Sequence, residues 1–313
     1  MNKTISTLKF LIGWPLAIIA IIFLIRLFIP QFASIQAKII NLNLPLITLS
    51  IIFFLLYYFL RCYLWKKILE FKGYKIPLMK TAYLWEFSEF KRYVPGNVWS
   101  FLSRVSLFSD AGIGKKIVGL ALLDEIQLIV ISCTLISIFC LPLILSSNES
   151  VGLLRQMQII ILGSAAAVII YSVTVAFIFK ARGSNNFIAN LFLPGYSLKE
   201  KIILTLISIV TFFIFGFATL IATISIFNFD TKLYFELSAF FTFALLAGYL
   251  SFITPMGLGV REGVITLGLS MLTSVANSGF LSIFSRIILI ISEVVFILIV
   301  LGFGALTKVK NRC

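Results

Sequence analysis

Apolar residues along this chain fall in long unbroken runs, separated by short clusters of charge, proline and glycine. Runs beyond about 18 residues are what a spanning helix requires, whereas strands of a membrane barrel would alternate polar and apolar at every second position. The runs predict spans at 10–29, 44–65, 117–145, 156–179, 202–227, 236–254, 264–279 and 281–306. The expected fold class is all-α, a polytopic transmembrane helix bundle of about eight spans. The run at 264–279 is short and rich in Ser and Thr, so a re-entrant hairpin is its alternative reading.

Two segments break this pattern. Residues 76–116 mix aromatic, aliphatic and charged positions, and Pro95 and Gly96 interrupt them inside EFKRYVPGNVWSFLSRVSLF. This stretch is too apolar for a free loop and too charged for a span. The second break is TPMGLGVREG at 254–263, where Pro255, Gly257, Gly259 and Gly263 separate two apolar runs. Paired Pro/Gly breaks in corresponding halves point to a transporter binding site, and one or two re-entrant segments are expected there. The halves would be 1–150 and 151–313, although no residue-by-residue repeat is visible between them.

Composition narrows the class further. Of 313 residues 60% are hydrophobic and only 12% charged, where a soluble domain carries about 25%; the mean hydropathy is +1.10. No stretch of mixed composition is long enough for a separate soluble domain of about 100 residues, so 1–313 reads as a single integral membrane domain. The run at 10–29 resembles a signal sequence, but its length and the lack of a small-residue cleavage site favour a first span. Histidine is absent, which removes imidazole-based triads and the usual zinc or haem ligands. Cys62, Cys133 and Cys140 lie in apolar runs, Cys313 is a tail residue, and no CxxC occurs, so apolar packing is expected rather than metal or redox chemistry. No cofactor, metal or catalytic residue is expected.

The net charge of +14 would suit nucleic acid, but Lys- and Arg-rich cytoplasmic loops meeting anionic lipid explain it, and no nucleic-acid partner is expected. Residues 1–9, 66–116, 180–201, 255–263 and 307–313 hold twenty of the 26 Lys and Arg, against Lys38, Arg155 and Lys232 on the other side. This asymmetry predicts a multi-pass protein of the cell membrane with both termini cytoplasmic. The remaining three, Arg26, Arg61 and Arg286, fall inside spans. Arg26 and Arg61 lie near span ends, where snorkelling to the interface is the expected role.

Asn97 can cap a helix running through Trp99, Phe101 and Leu102 to about Phe108, whose first N–H groups attract anions. Asn97, Ser100 and Arg104 share one face of it, spaced to hold a phosphate between backbone N–H groups and a guanidinium fork. A surface helix touching lipid headgroups through Arg104, Lys91 and Arg92 is the plainer reading. Near the second break, the glycines permit close backbone approach and Arg261 and Glu262 supply charge, as a simple loop at a span boundary would also do. Charges within spans cost about 2.5–3.5 kcal/mol each on insertion scales, so Asp124, Glu125, Arg286 and Glu293 require partners or a polar interior. Arg286 and Glu293, seven apart, lie on one face about 10 Å apart and cannot pair with each other.

The segment YVPGNVWSFLSRVSLFSDAG, an acidic residue in the following span, and PMGLGVREG resemble the family described as lysylphosphatidylglycerol synthase transmembrane region, or flippase-like integral membrane proteins. Tyr93, Pro95, Gly96, Trp99, Arg104 and Gly112 carry the first motif, with Asp124 or Glu125 as its acid. Pro255, Gly257, Gly259, Val260, Arg261, Glu262 and Gly263 carry the second. The resemblance spans nearly the whole chain but not the aminoacyl-transferase domain of multidomain members. It implies translocation of an anionic, phosphate-bearing or polyprenyl-phosphate-linked lipid between leaflets, in envelope lipid or glycan assembly. Arg104 and Arg261 would hold the phosphate, while Asp124 or Glu125, Glu262 and Glu293 would balance charge or carry a coupling proton. Two rivals stand beside this expectation. One is a non-transporting anchor or regulator of a glycosyltransferase or envelope synthase, acting through the basic region 66–116. The other is a membrane-embedded transferase using carboxylates as bases. The sequence leaves oligomeric state open.

Overall fold

A computed structural model describes residues 42–93, 99–138, 195–250, 257–270 and 272–310. The described helices are α1 (Leu44–Phe71), α2 (Leu78–Glu89), α3 (Trp99–Asp110), α4 (Lys115–Ser137), α5 (Leu198–Ile224), α6 (Tyr234–Leu250), α7 (Val260–Leu269) and α8 (Val275–Lys310), with short 3-10 turns at Phe90–Tyr93 and Thr231–Leu233. Five are long and apolar enough to cross a membrane: α1, α4, α5, α6 with its preceding turn, and α8. The chain is thus an all-helical protein among its described residues, and five apolar helices fit a multi-pass membrane protein. The expected spans at 10–29 and 156–179 lie outside the described residues.

The run at 264–279 is not one helix. Its first part belongs to α7, which ends at Leu269, and its last part opens α8 at Val275. At about 1.5 Å per residue, the ten residues of α7 reach roughly 15 Å, half of a bilayer core. The twelve residues each of α2 and α3 are similarly too short, and together they form the helix–break–helix unit that the mixed composition of 76–116 foreshadowed.

Capping explains several boundaries. Asn43 accepts from the Leu46 N–H at 3.2 Å to open α1, with Pro45 in its first turn. Ser197 and Glu200 form a reciprocal capping box at the start of α5. Gly112, at φ +96°, ends α3; the Ile113 N–H returns to the Phe108 carbonyl at 3.1 Å and frees the chain to start α4.

The bundle is inside-out relative to a soluble one. Exposed apolar residues recur at helical spacing, as in Leu49, Ile52, Leu56 and Phe59 of α1 and Ile287, Ile291, Val294 and Leu298 of α8, the stripe a lipid-facing surface requires. Ser and Thr turn inward, where neighbouring helices approach closely. Ser50 donates to the Ala218 carbonyl at 2.8 Å across α1 and α5, and Ser208 to the Leu128 carbonyl at 3.2 Å across α5 and α4. A Cβ on Gly216 would strike the Ser238 carbonyl, so this glycine sets the α5–α6 approach. Around that small-residue frame, Phe54, Tyr57 and Phe215 pack edge-on or tilted and link α1 to α5. The α2–α3 unit sits against α1, α4 and α8, and α7 rests on α6 and α8.

Candidate functional site

All eight described helices contribute to the wall of a cavity of about 340 Å³. Its walls are mostly apolar and aromatic, including Tyr57, Phe101, Phe212, Phe215 and Tyr249. Set among them are four guanidiniums, Arg61, Arg92, Arg104 and Arg261, and two carboxylates, Glu89 and Glu125. The two broken segments, far apart in sequence, meet here: Ser100 and Arg104 come from one, Gly257 and Arg261 from the other.

Glu125 of α4 is the hub. One oxygen accepts from Arg61 at 2.9 Å and the other pairs with Arg104. Arg104 also pairs with Glu89, and its Nε donates to the Ser88 hydroxyl at 3.0 Å. Its guanidinium stands 4.9 Å from the Trp65 ring and 4.8 Å from Trp85, and the Arg61 guanidinium lies 5.0 Å from the Trp85 ring as well. Planar cations stacked on indoles and tied to a shared carboxylate recover part of the desolvation that burying them costs. Arg104, at 2% exposure, is therefore an internal residue and not a headgroup contact on a surface helix.

Arg92 extends the network outward. It holds Glu89 at 3.0 Å and Glu293 of α8 at 2.7 Å, and Glu293 also accepts from the Tyr58 hydroxyl at 3.3 Å. Arg286, on the same face of α8, pairs instead with Glu262 of α7. The expectation that Arg286 and Glu293 each need a partner on another helix is met by these two contacts. Glu262 also accepts from the Gly259 N–H at 2.7 Å and so caps the start of its own helix.

Arg261 differs from the others. It is 4% exposed, lies 5.0 Å from the Phe215 ring, and forms no ion pair among the described residues; its Nε and Nη2 lack hydrogen-bond partners. Burial, and next the Arg286 charge, lower its pKa to about 10, which leaves it charged at neutral pH. The backbone beside it is tight. Gly257 adopts φ +66° and Gly248 of α6 lies so close that a Cβ on Gly257 would overlap the Gly248 backbone. Of the charges on the cavity wall, Glu89 and Glu125 answer two guanidiniums and Glu293, just outside it, answers Arg92. Among the described residues, Arg261 is the cavity guanidinium with no carboxylate paired to it.

Asp124 and Glu125 separate cleanly. Asp124 is turned from the cavity toward Lys72 at 2.7 Å and the Tyr196 hydroxyl at 2.8 Å, and Lys72 sits 4.8 Å from the Tyr196 ring. Burial and the Asp124 carboxylate push the Tyr196 hydroxyl well above its usual range, so it remains a donor to Asp124. Trp99 is 44% exposed and does not line the cavity; Gly259 belongs to the α7 start. Pro95, Gly96, Asn97 and Pro255 lie outside the described residues.

Arg61 corrects the snorkelling expectation. Helix α1 runs on to Phe71, which places Arg61 ten residues inside its end, buried and paired with Glu125. Sequence reasoning also passed over Glu86 and Glu89. Their i, i+3 spacing in WEFSEFKR, followed by Arg92 three residues on, marks one polar face on an otherwise aromatic helix and is the signal that could have found them. Glu86 is 2% exposed with no hydrogen-bond partner on either oxygen among the described residues. Burial and the Glu293 carboxylate push its pKa well above the ordinary range, against the pull of Arg92.

Comparison of the chain with protein-family models, with curated proteins and with solved structures finds no match. The family resemblance therefore rests on the two quoted motifs alone.

Proposed function

We propose that this chain is a flippase-like membrane protein that passes an anionic, phosphate-bearing lipid between leaflets of the cytoplasmic membrane, with both termini inside. The observation that carries the reading is Arg261. A guanidinium with no carboxylate paired to it among the described residues, in a mostly apolar cavity, is costly, and an anionic headgroup entering beside it would offset that cost. The aromatic lining suits the glycerol or isoprenoid portion that follows the phosphate. Arg104 and Arg61, already tied to Glu125, shape the site and can share a phosphate oxygen without being stranded when it leaves. On this reading α2–α3 and α7 are re-entrant elements bringing charge to the middle of the bundle, as broken helices do in transporters.

The reading is tested by reconstitution into liposomes carrying a trace of fluorescent phosphatidylglycerol or polyprenyl phosphate. The outer leaflet is quenched and the protected pool followed. Decay of that pool that depends on protein and is lost in Arg261→Ala supports the reading. A pool that stays protected with both lipids, with and without an imposed pH gradient or membrane potential, overturns it and favours a membrane anchor for an envelope enzyme.

A further inference from the structure

Glu86 is a buried ionisable group that the lipid site does not use. It lies on α2, and neither carboxyl oxygen has a hydrogen-bond partner among the described residues, although charged or titratable groups from packed elements are near. These are Glu89 on its own helix, Arg92 of the following turn, Arg61 and the Cys62 thiol of α1, and Glu293 of α8; Arg104 of α3 is committed to Glu89 and Glu125, and the Tyr58 hydroxyl of α1 to Glu293. The other acids of the cluster are paired: Glu125 with two arginines, Glu89 with two, Glu293 with Arg92 and Glu262 with Arg286. Protonating any of those breaks at least one ion pair, and protonating Glu125 or Glu262 leaves Arg61 or Arg286 without its acid. Protonating Glu86 breaks no ion pair among the described residues.

Charge balance then links Glu86 to the cavity. With Glu86 ionised, its charge offsets that of Arg261 and the cluster as a whole is neutral. With an anion at Arg261, an ionised Glu86 would leave the cluster one negative charge in excess inside a low-dielectric interior, and a neutral Glu86 restores balance. We propose that Glu86 is a proton-binding site that takes up one proton from water as an anionic headgroup enters beside Arg261 and releases it as the headgroup leaves. This rests on the lipid reading above and adds its coupling ion. The step needs no further reactant: a carboxylate oxygen gains the proton and no other bond changes.

The sign follows from linkage. The bound anion raises the pKa of Glu86, so binding is favoured at low pH and weakens, by up to about tenfold per pH unit, as pH rises between the pKa of the free state and that of the bound state. The deciding experiment is infrared titration of the full-length protein in detergent, with and without phosphatidylglycerol, following the protonated-carboxyl stretch. We expect a band that Glu86→Gln removes and whose midpoint rises by about one pH unit with phosphatidylglycerol. Glu86→Met, also uncharged and of similar length, serves if the Gln variant folds poorly. A band unchanged in both variants, or a midpoint that phosphatidylglycerol leaves unmoved, overturns the proposal. The liposome assay then shows which premise failed: pH-independent lipid movement retains the transport reading without its proton, and no movement removes both.

Discussion

Neutralising Glu125 exposes what holds the interior together. In Glu125→Gln the side chain keeps its length and one acceptor, but Arg61 at 2.9 Å and Arg104 both lose a shared counter-charge at a site where the carboxylate is 3% exposed. Breaking a buried pair from one side costs about 3–5 kcal/mol. Arg104 retains Glu89, and Arg61 retains the Tyr57 hydroxyl at 3.2 Å and the Trp85 face, so the lower end of that range applies, about 3 kcal/mol. At roughly 2–4 °C per kcal/mol for a chain of this order of size, Tm should fall by roughly 6–12 °C. Thermal unfolding in detergent, followed by the fluorescence of Trp65 and Trp85 that border these cations, reads it directly. The double variant Glu125→Gln/Arg61→Met removes one stranded charge along with the acid. It should therefore be less destabilised than the sum of its parts by at least about 1 kcal/mol. A loss below about 0.5 kcal/mol in Glu125→Gln, or strict additivity in the cycle, would refute the hub assignment.

Other substitutions divide along the same geometry. Gly257→Ala combines a positive φ with overlap onto the Gly248 backbone and should lower Tm sharply, whereas Gly119→Ala, in open space within α4, should change stability by no more than about 1 kcal/mol in the favourable direction; equal melting of the two variants would contradict the close approach. Asp124→Asn removes the charge that holds Lys72 but leaves the cavity wall intact, so lipid movement should persist where Glu125→Gln loses it. Finding the reverse order in the liposome assay would give Asp124, not Glu125, the acidic role. Exchanging the partners, Arg286→Glu with Glu262→Arg, should recover much of the stability that Arg286→Glu alone loses, as judged by the same melting curves.

How much of this could be read along the chain differs from element to element. The apolar runs behind α1, α4, α5, α6 and α8 were legible because bilayer thickness imposes a length that few soluble helices reach. The run at 264–279 misled because hydropathy averages over residues 270–274, which fall between the end of α7 and the start of α8. Arg286 and Glu293 were correctly expected to seek other helices, since their separation on one helix rules out a direct pair. Their partners, Glu262 and Arg92, were beyond reach, because nothing local encodes which helices neighbour α8. The same limit applies to Arg61. Its depth depends on α1 continuing through Lys66, Lys67 and Glu70, a charged stretch that looks like a span end yet closes on itself through Lys–Glu pairs. Adjacent residues on a helix diverge by about 100°, so Asp124 and Glu125 had to face different surroundings, but only the placement of Lys72, Arg61 and Arg104 tells which is which.

The proposed function stands or falls on Arg261, which has no paired carboxylate among the described residues and on the proposed reading receives an anionic headgroup. The most direct measurement compares the movement of phosphatidylglycerol with that of zwitterionic phosphatidylcholine carrying the same fluorophore, in wild type, Arg261→Lys and Arg261→Ala. The anionic lipid should move faster in wild type, lysine should retain part of that preference, and alanine should lose it while the protein still melts cooperatively. Equal rates for the two lipids in wild type, or an anionic preference that survives in Arg261→Ala, would contradict the assignment.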